Sequence, residues 1–149
     1  MTGDGCFLTH LECSATDDIV AADRLQGVSP AGAPLLARYD LDAVRGAVSR
    51  ADLTARSADM WRYRELLPYP DTNAVISLAE PWTPLLPIPN TVQAFGGETA
   101  LVKDEGRLPT GSFKARGLAM AVTMAKVFEV DKIAMPSAGN AGAALAAYA

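Results

Sequence analysis

The chain has 149 residues, half of them apolar and a fifth charged; 13 basic side chains face 17 acidic ones, for a net charge of −4. That is apolar material for one ordinary core, with too little charge bias for a disordered chain. No basic stripe with interleaved aromatics offers a surface to nucleic acid, and no apolar run approaches the roughly 18 residues a membrane helix needs.

From the N-terminus, MTGDGCFLTHLEC lacks the basic start and apolar stretch of a secretory leader. Two cysteines are too few for a disulfide framework, so a reducing cytoplasm is the expected setting. Cys6, His10 and Cys13 form a C-x3-H-x2-C pattern, but a structural zinc site needs a fourth ligand, which only Asp17 or Asp18 could supply; no metal is expected. Residues 1–40 are short segments broken by glycine and proline, with a strand predicted over 34–39. Residues 41–67 read as helical. Leu41, Val44 and Val48 fall on one face, and a second helix is predicted from Ser57 through MWRYRELL until Pro68 stops it. The proline-rich connector EPWTPLLPIPN follows, with Trp82 expected to pack in it.

From Thr99 the pattern alternates. TALVKD reads as a strand, residues 113–130 as a helix with Leu118, Val122, Ala125 and Phe128 on one face, KIAMP as a second strand, and NAGAALAAYA as a second helix. Met120 and Met124 read as core filling. Strand–loop–helix repeated twice implies a parallel α/β sheet with flanking helices, so loops 105–112 and 137–140 should open on one rim. The last helix has no closing Gly, Asn or basic residue, and the chain is expected to continue beyond Ala149.

Lys114 stands out on that rim. It follows Thr110-Gly111-Ser112-Phe113, where Thr110 and Ser112 are the expected caps, and the positive end of a helix is a poor place for a cation. A neutral amine there could condense with an aldehyde. A surface lysine with its stem packed along the helix is the alternative that periodicity leaves open. Lys103, Asp104 and Glu105 could position the lysine loop or form a solvated charge run, and Arg116 could pair with a phosphate or face solvent. In SAGNAG, Gly139 and Gly142 bring backbone close to a ligand at a helix start, a position suited to an anion.

The stretch K-x-E-x-x-x-P-T-G-S-F-K-x-R-G, residues 103–117, resembles the lysine signature of the fold-type II pyridoxal-phosphate enzymes, and SAGNAG resembles their asparagine loop. The resemblance implies the tryptophan synthase β-like fold, with pyridoxal 5'-phosphate held on Lys114 as the catalytic residue. It implies Asn140 on the cofactor's ring hydroxyl, and Thr83, Ser137, Ala138, Gly139 and Ala141 toward the substrate. Within the family, LECSATDDIVAADRLQGVSPAGAPLLARYDLDAV, MWRYRELLPYPD and ISLAEPWTPLL are most similar to the threonine synthase group, from about Leu11 to Ala149.

That similarity implies conversion of O-phosphohomoserine and water to threonine and phosphate, with a threonine or serine dehydratase or a non-catalytic fragment as alternatives. Residues 1–68 then form an N-terminal region and 69–149 the start of the cofactor domain. The partner is a small-molecule substrate, with no nucleic acid and no membrane; a homodimer stays open. The chain departs from the group with Ala79 and Pro81 where glycines are usual, and with Leu108 in place of asparagine. It also does not contain the family's phosphate-gripping glycine loop, so the isolated 149 residues are expected to show negligible turnover.

Overall fold

The computed structural model describes residues 5–68 and 72–149. The first four residues of the N-terminal reading, and Tyr69, Pro70 and Asp71 of MWRYRELLPYPD, lie outside the described residues. The chain forms two compact units. One takes the described parts of residues 1–57, 61–76 and 123–133; the other takes 58–60, 77–122 and 134–149.

The first unit carries a three-stranded antiparallel sheet in which β1 (Leu8–Cys13) lies between β2 (Ile19–Val20) and β3 (Leu35–Tyr39). Glu12 sits opposite both Ile19 and Leu36, and the β1–β3 register shifts between Leu8 and His10. The strand predicted over 34–39 is β3, whereas β1 went unpredicted because LTHLEC alternates too weakly to read as a strand. Cys13 and Val20 are its buried apolar side chains.

The helical reading of 41–67 holds in pieces. α1 (Leu41–Ala47) starts on an Asp40 cap, and α2 (Arg50–Ala55) starts on a Ser49–Asp52 capping box. That box fixes a fresh helix start at Ser49, so Val48 is extended, and the expected Leu41–Val44–Val48 face does not form; Leu41 is exposed. In place of the second helix is a 3-10 segment, Met60–Leu66, interrupted at Tyr63. Its inward side chains are charged. Arg62 donates to the Leu53 carbonyl, and Glu65 takes a two-point pair from Arg56, which favours a tighter, irregular turn over a regular amphipathic helix.

In the second unit, β4 (Leu85–Pro87) pairs antiparallel with β5 (Leu101–Lys103), and α3 (Pro89–Phe95) lies between them in the chain. Pro89 at the first helical position and the left-handed Gly96 at the end bracket α3. This corrects the sheet prediction. TALVKD does give a strand, but its partner is the proline-rich connector in antiparallel register, and KIAMP is not a strand. Among the described residues no parallel pair forms. The connector returns to β5 through the local turn and α3, which suits antiparallel pairing, whereas parallel strands need a longer crossover. The α/β character and the two C-terminal helices stand.

α4 (Lys114–Val127) buries Ala115, Ala119, Val122 and Thr123, an i, i+4, i+7, i+8 stripe offset from the predicted one. It belongs to the second unit as far as Val122 and to the first from Thr123, whose hydroxyl accepts the Ile76 N–H at 3.0 Å. α5 (Asn140–Tyr148) buries Ala144 and Tyr148, one turn apart. Among the described residues no helix is long and apolar enough to cross a membrane.

Candidate active site

The lysine loop is built from two tight turns. Asp104 accepts from the Gly106 N–H (3.2 Å) and from Arg107 Nε (2.9 Å), closing a 3-10 turn over Glu105–Arg107. A second turn closes from Gly111 N–H to the Leu108 carbonyl at 2.8 Å, with Pro109 in its second place. Gly111, at φ +69°, then reverses the chain into α4 without the penalty a side chain would bring. Leu108, where the resemblance expects asparagine, is buried.

Lys114 is the first residue of α4, half-buried, its Nζ 4.5 Å from the centroid of the exposed Phe113 ring. The expected caps do not cap. The Ser112 carbonyl accepts from Ala115 N–H, yet the buried hydroxyls of Ser112 and Thr110 have no hydrogen-bond partner. A buried hydroxyl without a partner costs about 1–3 kcal/mol, so two of them within four residues of the amine suit a polar ligand that would satisfy them.

Behind the helix start lies a polar network that sequence reasoning left open. Glu105 takes a two-point ion pair from Arg116, with Nε–Oε2 at 2.7 Å and Nη2–Oε1 at 3.1 Å. The Thr83 hydroxyl also donates to Glu105, and the second Arg116 contact is the Pro81 carbonyl at 3.2 Å. Lys103 Nζ donates to the Thr83 carbonyl at 2.7 Å. The Arg116 hydrogen bond, against partial burial and with help from Thr83 and Lys103, holds the Glu105 carboxyl at about 2. The same contact raises Arg116 above its ordinary range. Glu105 and Arg116 therefore face each other, not solvent. The available signal was their place inside one motif, bracketing the lysine at K-x-E and K-x-R.

The asparagine loop follows a different plan. Ser137 Oγ accepts from the N–H groups of Gly139 (3.1 Å) and Gly142 (2.7 Å), and Gly139 sits at φ +141°. A Cβ on residue 142 would lie 3.2 Å from Ser137 Cβ, so glycine is what lets Ser137 approach. Ser137, Ala138, Gly139 and Asn140 are exposed and Ala141 half-buried. In the first turn of α5 the N–H groups of Asn140 and Ala141 have no acceptor inside the helix, which leaves them available to an anion.

At its far end α5 is anchored by Tyr148 Oη, which donates to Glu80 at 2.6 Å. Glu80 is 0% exposed. Burial by itself would raise its carboxyl, but hydrogen bonds from Ser77, Tyr148 and the Leu78 N–H prevail and lower it. Burial first, then Glu80, pushes the Tyr148 hydroxyl up. The same carboxylate organises residues 77–80, where Ala79 sits at φ +63°. Ala79, where the resemblance expects glycine, thus takes the left-handed conformation that glycine adopts most readily.

The predicted site residues thus lie in one unit but not in one hydrogen-bonded cluster. Thr83 is tied to the lysine helix through Glu105 and Arg116 and is only 5% exposed, with its hydroxyl committed. Among the described residues no hydrogen bond joins Lys114 to Asn140 or to Ser137–Ala141. Trp82, expected to pack, is exposed, and Met120 and Met124 are half-buried. A cavity of about 330 Å³ lined by Pro87, Ile88, Val92 and residues 97–100 contains none of these residues.

The C-x3-H-x2-C side chains go separate ways. Cys6 Sγ donates to the Leu67 carbonyl, His10 Nδ1 contacts the Thr9 hydroxyl, and Cys13 contacts Ser29. His10 and Cys13 lie an odd number of positions apart on β1, hence on opposite faces, and among the described residues no three His, Cys, Asp or Glu side chains gather for a metal.

Residues 76–149 match the family of pyridoxal-phosphate dependent enzymes. The lysine turn and the asparagine loop both lie inside that match. Along most of its own length the chain is threonine-synthase-like. It is 37% identical over 138 residues to a threonine synthase of Methanocaldococcus jannaschii, covering 93% of this chain and 33% of that protein. It is 42% identical over 99 residues to one from Synechocystis (62% of this chain, 26% of the relative). It is 45% identical over 86 residues to one from Halalkalibacterium halodurans (58% and 24%). The chain spans between a quarter and a third of the length of these relatives.

Proposed function

We propose that this chain supplies the lysine and asparagine elements of a threonine synthase, an enzyme converting O-phosphohomoserine and water to threonine and phosphate with pyridoxal phosphate. Similarity to threonine synthases over 93% of the chain carries this reading. The residues present fit the cofactor: an amine at a helix start, two buried hydroxyls without partners beside it, and a glycine-rich helix entrance in the same unit. When bound, the cofactor supplies an electron sink for a carbanion at the substrate's Cα.

In this reading Lys114 would hold the cofactor at its aldehyde, and its amine would serve as the base for the substrate's Cα proton. Asn140 would hold the ring hydroxyl by a hydrogen bond. The substrate carboxylate is received by the loop of Ser137, Ala138, Gly139 and Ala141, through N–H groups that the helix leaves unused. Thr83, with its hydroxyl turned to Glu105, serves the site from behind the lysine helix. Residues 1–68 act as the N-terminal region and 69–149 open the cofactor domain of a cytoplasmic enzyme, with a small-molecule substrate and a homodimer as the assembly to test.

The test is product analysis with the full-length protein. Supplied with O-phosphohomoserine, it should release phosphate and threonine in equal amounts. Release of keto acid and ammonia instead would transfer the assignment to a dehydratase.

A further inference from the structure

We propose that the Glu105–Arg116 pair, buttressed by Thr83, is a positioning device that sets the rotation of α4 and thereby the direction of Lys114. The inference rests on the cofactor reading of Lys114 and adds a role for Glu105, Arg116 and Thr83 in aiming that lysine.

Successive residues of an α-helix turn by about 100°, so Lys114 and Arg116 project about 200° apart, on nearly opposite sides of the first turn. Fixing Arg116 on one side therefore aims Lys114 to the other. Arg116 is fixed at three points: both nitrogens of its fork meet Glu105, and one also meets the Pro81 carbonyl. Planar two-point pairing restricts orientation as well as distance, which a point charge would not. Glu105 is itself held by the Thr83 hydroxyl, and Thr83 by Lys103 through its carbonyl. The bonds thus join three separate stretches, residues 81–83, 103–105 and the first turn of α4. The turn needs such bracing because its own cap is missing: neither Ser112 nor Thr110 bonds an N–H of α4.

The test uses pyridoxal phosphate as probe and borohydride to fix it, with the labelled peptide mapped and the yield divided by the folded fraction. In the unaltered full-length protein the label should fall on Lys114. Arg116→Gln and Glu105→Gln should each cut that label per folded molecule by about tenfold or more, the scale of loss expected when a reacting group is misaimed. Arg116→Lys keeps the charge but not the fork and should recover only part of the labelling. Thr83→Val should lower it by a smaller factor while Thr83→Ser restores it, which covers the case in which Arg116→Gln does not fold. Arg56→Gln, which breaks the equivalent pair of the other unit, is the control for mere loss of stability and should leave labelling per folded molecule unchanged. Wild-type labelling in the Arg116, Glu105 and Thr83 variants, or an equal loss in Arg56→Gln, overturns the proposal while leaving the cofactor reading intact. No label on Lys114 in the unaltered protein overturns both.

Discussion

An arginine–glutamate fork occurs in each unit, and the two forks do different work. In the first unit Arg56 grips Glu65 through bonds of 2.7 and 2.8 Å, with side-chain exposures of 18% and 7%. The partners lie nine residues apart, and the pair closes a 3-10 segment whose Glu65 carbonyl also accepts from the Phe7 N–H. In the second unit Arg116 and Glu105 are more exposed, at 27% and 25%, and stand either side of Lys114. Their network reaches back 22 residues from Glu105 to Thr83. Deeper burial makes the first fork matter more to stability. The second is shallower but spans more of the chain, so its consequence is orientation. Similar chemistry thus serves folding in one place and aim in another, and what surrounds the pair decides which.

The sharpest break between the units comes from Lys114→Ala, which should abolish borohydride-fixed label in the full-length protein; persistence of label at another residue would remove the site from the second unit. Arg56→Ala should cost about 3 kcal/mol in denaturant unfolding, because the buried Glu65 keeps only the more exposed and more distant Arg64. Acid should weaken both forks. Both carboxyls are held low, chiefly by their arginines, so each contributes stability that is complete above the ordinary carboxylate value and lost as pH falls through the folded one. For Glu105 that window runs from 4.5 down to about 2, and unfolding followed by the environment of Trp82 should show a transition inside it. Glu105→Gln should flatten that transition. Tyr148→Phe removes one hydrogen bond to a buried carboxylate and should cost about 1.5–3 kcal/mol in thermal or denaturant melts. Smallest and opposite in sign, Ala79→Gly should stabilise by about 1 kcal/mol, since it relieves a left-handed alanine.

Much of the second unit was legible along the chain. The helix after Ser112, the helix after Gly139 and the turn made by Pro109 and Gly111 all follow from local signals that need no partner. Motif wording pointed to Lys114 and Asn140, which stand at the first positions of α4 and α5. The sheet was not legible in this way. TALVKD reads as a strand from its own residues, but its pairing with LLP rather than KIAMP depends on where two distant stretches meet. Nor were the caps: Ser112 and Thr110 have the right side chains in the right place, yet their hydroxyls are turned away from the helix N–H groups. In the first unit, Arg62 and Glu65 fall in a stretch that reads as a helix, and both proved to be buried.

By itself, then, the sequence determined the two C-terminal helices, where the lysine and asparagine turns fall, and which family's wording they share, because periodicity, turn chemistry and motif spacing act over a few residues. Only the tertiary structure decided that β5 pairs antiparallel, that Thr83 spends its hydroxyl on Glu105, and that Arg116 locks the helix from which Lys114 projects. Those outcomes depend on carboxylate, guanidinium and carbonyl groups brought within 3 Å or so of each other from remote parts of the chain. A pattern read along one dimension carries no record of that meeting.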